Sequence, residues 1–238
     1  MRRLPLFLAA LLAAAPAQAG LRAVYVSPGA GQPLIVEVAD NGDARVGEAG
    51  ASDYGLLVGG QFYVVGGKPG AWTVARTTDL ARAVDATVGP VFGDSLSRAG
   101  AARPGAALRS TPAGARAVGG RNGTVYKVAG LDHLKPAATV EVVATDEPAL
   151  RPVGRALEGF MNASLIPGAP LLGAGAAELV EETRAIFALG TPLSSEGRFT
   201  LQSAETADVP AARVALPDHP DTYETLVTKM RALVPSRK

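Results

Sequence analysis

Between Leu21 and Arg76 the apolar residues come in short runs, each broken by a turn signal. Leu21–Val26 is followed by Ser27-Pro28-Gly29-Ala30-Gly31, and Leu34–Ala39 by Asp40-Asn41-Gly42-Asp43. An Asn-Gly dipeptide between apolar runs predicts a tight hairpin in which both central residues take positive φ. Ala44–Gly47, Tyr54–Val58 and Gln61–Val65 continue the series, with Gly59-Gly60 as a second such turn. Gly66-Gly67-Lys68-Pro69-Gly70 then leads into Trp72–Arg76. Strands this short, with turns this close, pair antiparallel with their neighbours.

The period then changes. Thr77 or Thr78 is placed to cap a helix in which Leu80, Val84 and Val88 form one stripe. Residues 93–120 are rich in Gly, Ala, Arg, Ser and Pro without periodicity, which predicts a long mobile connection. Strands resume at Thr124–Val128 and Thr139–Thr145. Pro148 begins a helix with Leu150, Val153, Leu157 and Met161 on one face, and a second helix carries Leu179, Thr183, Ile186 and Phe187. Arg198–Ala204 and Arg213–Leu216 are expected to form a closing hairpin. Tyr223, Leu226, Val227, Met230, Leu233 and Val234 give the clearest helical stripe, with Asp221 and Glu224 as a capping-box-like start. Strands and helices in this order, without βαβα alternation, indicate an α+β fold: a curved antiparallel sheet with helices packed on one face and a C-terminal helix.

Several strands are apolar on both faces. Leu34, Val36 and Val38 alternate with Ile35, and Phe62 and Val64 with Tyr63 and Val65. A half-buried sheet puts polar residues on one face. Two arrangements satisfy the pattern: an open barrel with a lined interior, or a sheet covered by helices on one side and loops on the other. The first gives an apolar groove whose lining includes Val36, Phe62 and Val64, closed by helices around Leu157, Met161 and Phe187.

The N-terminus supplies an address. Arg2 and Arg3 precede an apolar run from Leu4 to Ala15, and Ala17-Gln18-Ala19 is a small-x-small cleavage site. Residues 1–19 therefore read as a Sec-type signal peptide cut after Ala19, leaving residues 20–238 as a single domain in the periplasm or secreted. The apolar run is too short for a bilayer of ~30 Å, and no second run supplies a transmembrane anchor. The formal net charge of +1 includes Arg2 and Arg3, so the exported chain is close to neutral. With acids and bases interspersed and one Trp, five Tyr and six Phe, it lacks the footprint of a nucleic-acid binder. Cysteine is absent, which removes disulfides, thiolate nucleophiles and thiolate metal sites. His133 and His219 are the only imidazoles and have no partners at ligand spacing, so no metal and no cofactor is expected.

One segment carries candidate chemistry. Val91-Phe92-Gly93-Asp94-Ser95-Leu96-Ser97 resembles the N-terminal block of GDSL, or SGNH, hydrolases. Gly120-Arg121-Asn122 is similar to their Gly-x-Asn block, and Asp218-His219-Pro220 to their Asp-x-x-His block. The resemblance implies that Ser95 attacks an ester, His219 takes its proton and Asn122 holds the oxyanion. Three features count against it. A meander of strands precedes Ser95 where a single strand of a parallel sheet belongs. The segment between Ser95 and Asn122 has no βα units. Asp218 adjoins His219 instead of standing three residues before it. Gly93-Asp94-Ser95 then reads as a turn at a helix end, and Asp218-His219-Pro220-Asp221 as a helix start.

A second resemblance spans most of residues 21–217. Thr124–Val128, Glu141–Leu150, Gly190–Leu193, Leu201–Glu205 and Val209–Val214 resemble blocks of periplasmic proteins similar to the LolA/LolB lipoprotein-carrier superfamily. It implies a half-open β-barrel plugged by helices. It also implies a non-enzymatic carrier whose partners are a lipid or lipoprotein ligand, or a protein of the cell envelope.

Overall fold

The computed structural model describes residues 20–96, 108–131, 135, 137–169 and 174–233. The leader read at 1–19 lies outside them. Six strands open the fold: β1 (Leu21–Val26), β2 (Leu34–Val38), β3 (Ala44–Glu48), β4 (Tyr54–Val58), β5 (Gln61–Lys68) and β6 (Ala71–Arg76). After α1 (Thr77–Leu96) come β7 (Arg109–Val118), β8 (Arg121–Ala129) and β9 (Thr139–Thr145). A 3-10 turn at Pro148–Leu150 leads into α2 (Arg151–Leu165), and α3 (Ala174–Phe187) follows. The chain ends with β10 (Thr191–Ser195), β11 (Phe199–Thr206), α4 (Ala211–Val214) and α5 (Tyr223–Leu233).

Among the described residues all strands join one 11-stranded sheet, in the order β6-β5-β4-β3-β2-β1-β11-β10-β9-β8-β7. Two meanders run outward from a central seam where β1 pairs antiparallel with β11, Leu21 opposite Thr206 and Val26 opposite Thr200. The sheet is curved and does not close. Its β7–β8 corner turns back onto β11, where the Arg121 guanidinium donates to Ala204 O at 2.6 Å. This is the α+β architecture that the strand and helix periodicities indicate.

Helix α2 lies across the inner face, against β2 to β5 and β10. Its stripe of Leu150, Val153, Ala156 and Leu157 is buried with Val36, Val46, Phe62 and Leu193 in the principal core. Two glycines bring it close. A Cβ at Gly154 would stand 2.6 Å from Thr191 Oγ1, and one at Gly159 would lie 2.8 Å from Phe62 Cγ and 2.9 Å from Cε2. The opposite, outer face of β4 to β6 is also apolar. Tyr54, Leu56, Tyr63, Val65 and Val74 pack there beneath Leu216.

The C-terminal segment explains that cover. It crosses the outer face at α4 and Leu216, then clasps the edge strand β6. Asp221 N–H donates to Val74 O at 2.8 Å, and the Asp221 carboxylate accepts from Val74 N–H at 3.1 Å. Lys229 secures the clasp, reaching both Asp221 oxygens at 2.8 and 2.9 Å. Helix α5 then packs Leu226 and Val227 against Ala83 of α1 and Ala75 of β6. An edge sealed in this way cannot template further strands.

Four local expectations are corrected. Residues 93–120 are not one mobile connection: Gly93–Leu96 belong to α1 and Arg109–Val118 form β7, while 97–107 lie outside the described residues. Gly119-Gly120, both at positive φ (56° and 75°), make the two-residue turn between β7 and β8. Arg213–Leu216 is no hairpin strand, because β11 takes β10 and β1 as its partners and Arg213 sits in α4. At Asp40–Asp43 only Gly42 has positive φ (83°), and Asp43 N–H bonds Asn41 Oδ1, so the loop is longer than a two-residue turn. Finally, Thr222 and not Asp221 caps α5, its Oγ1 accepting from Thr225 N–H at 3.3 Å.

Candidate functional site

Three elements wall an apolar pocket on the inner face: helix α2, helix α3 and the sheet centre at β1, β10 and β11. Its volume is about 400 Å³, at the lower end of the ~300–1,000 Å³ range of ligand pockets. Leu157, Met161 and Leu165 line it from α2, and Leu179, Ile186 and Phe187 from α3. Tyr25 and Phe199 form the floor, edge to face with centroids 5.9 Å apart.

The floor is fixed by the central seam. Tyr25 on β1 and Phe199 at the start of β11 become neighbours because these two strands pair. The Tyr25 hydroxyl donates to Pro192 O at 3.1 Å across the pocket base. Pro192 sits where the β9–β10 register shifts, a position that a residue without an N–H tolerates. Burial pushes the Tyr25 hydroxyl well above its ordinary pKa, so it stays protonated and keeps donating. Of its polar lining, Ser27, Ser164 and Arg198 are exposed, Glu182 and Thr183 half-buried and Ser195 buried. Met161, 41% exposed, marks the solvent side.

The sequence-derived lining residues divide into two groups. Leu157, Met161 and Phe187 line the pocket. Val36 and Phe62 are buried under α2, and Val64 is half-buried against the same core, outside the pocket wall. The two-sided apolarity of the strands thus has two sources, the α2 core with its pocket on one face and the C-terminal clasp on the other. Leu34, from the strand whose two-sided apolarity suggested a groove, does line the pocket, while sequence reasoning missed Tyr25, Leu131 and Phe199. No local signal marks these as neighbours, because they come from β1, the segment after β8, and β11, which meet only in the folded sheet. The stripe Leu179, Thr183, Ile186 and Phe187 does reveal the α3 wall, through its helical spacing.

The hydrolase-like residues are arranged differently. Ser95 falls in the last turn of α1. Asn122 is an exposed β8 residue opposite Ala117 of β7. His219 is exposed in the segment that clasps β6, where its backbone N–H bonds the Asp218 carboxylate at 2.7 Å. Strands β8 and β6 stand at opposite flanks of the sheet order, and every pair in the sheet is antiparallel. His133 lies outside the described residues. Among the described residues, no three His, Asp or Glu side chains converge as metal ligands, and no helix is long and apolar enough to cross a membrane.

Glu158, on the α2 face toward α3, is the perturbed carboxyl near the pocket. Burial raises its pKa, and the Arg184 guanidinium of α3 opposes that shift. It lines a neighbouring cleft with Arg151 and Arg155 rather than the apolar pocket itself.

No protein-family model matches the chain, and no curated protein does either. A solved structure described as the crystal structure of MucB is similar over 84% of this chain and 58% of its own, at 16% identity and a TM-score of 0.33. The chain thus spans less than two thirds of that structure's length.

Proposed function

We propose that this chain is exported to the cell envelope and acts there without catalysis, holding the acyl chain of a lipid or lipoprotein in the inner-face pocket. The observation that carries this reading is the predominantly apolar pocket between α2, α3 and the β1–β11 seam, whose Tyr25 hydroxyl is already satisfied by Pro192 O. Such a site binds by burying chain surface. A tail of about 14 carbons contributes about 11 kcal/mol at ~0.8 kcal/mol per CH₂. Subtracting an association cost of ~4 kcal/mol or more leaves a Kd of about 10 µM at best. The export reading rests on Arg2-Arg3, the apolar run and Ala17-Gln18-Ala19. The non-catalytic reading rests on the separation of Asn122 from His219 and on the antiparallel sheet.

Titration of residues 20–238 with a fluorescent fatty acid tests the proposal. Saturable binding near 10 µM is expected, weakened about tenfold or more in Met161→Asp, whose exposed position accepts a charge without unfolding the core. Absence of saturable binding up to ~100 µM overturns the ligand reading. In parallel, p-nitrophenyl ester turnover is expected at background. Turnover that disappears in both Ser95→Ala and His219→Ala overturns the non-catalytic one.

A further inference from the structure

The outer face carries a second pocket, independent of the first. It measures about 250 Å³ and lies where α4 crosses β2, β3 and the start of β4. Two guanidiniums, Arg45 and Arg213, line it together with Glu37 and Tyr54. Glu37 and Arg45 are direct cross-strand partners, yet Glu37 is engaged from above by Arg213, whose Nε donates to Oε2 at 2.8 Å. Arg45 makes no ion pair among the described residues. Its Cζ instead stacks 3.4 Å from the centroid of the Tyr54 ring, and Tyr54 is held edge-on by Trp72, 6.5 Å away. Glu48, also on the wall, is exposed and forms no ion pair with either arginine.

We propose that this outer-face pocket binds a carboxylate between Arg45 and Arg213. Stacking on an aromatic face fixes a guanidinium's plane and leaves its in-plane N–H fork free, the geometry that carboxylates match. Arg213 is engaged by Glu37 and Glu48 is exposed on the wall, so the half-buried guanidinium without an ion pair is Arg45, whose single fork one carboxylate fills. Burial, and after it the nearby Arg213, pulls Arg45 below its ordinary pKa, and the opposing pull of Tyr54 and Glu37 does not cancel it. The site is far smaller than a lipid and lies across the sheet from the acyl pocket, so it stands or falls independently of that reading.

Amide NMR titration of residues 20–238 at constant ionic strength tests it, with acetate, an acetylated acidic hexapeptide and inorganic phosphate as probes. Saturable shifts are expected at the Gly50 and Tyr54 amides, with an acetate Kd of about 1–10 mM. They should weaken at least tenfold in Arg45→Met and also in Arg213→Met, each first shown folded by its melting curve. Tighter binding of the peptide assigns the carboxylate to a protein chain, and equal binding assigns it to a small acid. No saturation by acetate or peptide overturns the proposal, as do unchanged affinity in both variants or tighter binding of phosphate than of acetate.

Discussion

Adding one methyl group at Gly159 should destabilise this protein, although the same change in an open helix stabilises it. A Cβ there would overlap the Phe62 ring, lying 2.8 Å from Cγ and 2.9 Å from Cε2, with Cδ2 closer still. The ring has nowhere to retreat. On its far side Gly55 of β4 approaches so closely that a Cβ there would stand 2.9 Å from Cε1 and 3.1 Å from Val46 Cγ1. Relief therefore requires α2 to lift by about 1 Å, loosening Val153, Ala156 and Leu157, all of them buried. Overpacking of this kind costs about 1–3 kcal/mol, and the helix propensity gained by replacing Gly with Ala returns up to ~1 kcal/mol. Gly159→Ala should thus lose about 1–2 kcal/mol, lowering Tm by about 2–8 °C for a domain of this size. Gly175→Ala, in α3 with nothing within 4 Å of the added Cβ, is the control and should be neutral or slightly stabilising. Urea and thermal unfolding followed by circular dichroism measure both. Phe62→Leu should cost less in the Gly159→Ala background than alone, since a smaller side chain relieves the overlap. A Gly159→Ala protein as stable as the parent, or additive effects of the two changes, would refute the close approach as the reason for glycine here.

Two further expectations follow from the edge clasp and from Glu158. Asp221→Ala strands the Val74 N–H and leaves the Lys229 ammonium only Trp72 O and Thr73 Oγ1 as acceptors, and should cost about 1–3 kcal/mol. Amide exchange at Val74 is the readout, and unchanged protection would show that the clasp does not hold the edge. Because burial raises the Glu158 pKa in the fold, its contribution to stability is present below the ordinary carboxylate range and is lost as pH rises through the raised value. Glu158→Gln should accordingly raise Tm at pH 7 and leave it unchanged near pH 3. An equal effect at both pH values would contradict the cause assigned to the shift.

Local chemistry was sufficient wherever an element is defined by its own neighbours. The N-terminal meander is legible because Gly59-Gly60 and the loops at Pro28 and Asn41 punctuate runs that period-2 patterning makes strands. The stripes on α2, α3 and α5 are legible because a 3.6-residue period needs no partner to be recognised. Strand β7 was not, since its residues are almost all exposed and carry no apolar alternation. Its only signal is Gly119-Gly120, which becomes a hairpin turn once β8 supplies the pairing.

The candidate sites divide along the same line. Sequence alone placed Leu157, Met161 and Phe187 on helical faces that needed an apolar partner, and the α+β class followed from element order. Tertiary structure decided which apolar residues are core and which are wall. Phe62 disappears between Gly55 and Gly159, while Tyr25 and Phe199, from opposite ends of the chain, meet at the β1–β11 seam. It also decided what covers the outer face, bringing Arg213 onto Glu37 and leaving Arg45 stacked on Tyr54. Periodicity records which side of an element is buried. It does not record the partner, because burial is a local property and pairing across the sheet is not.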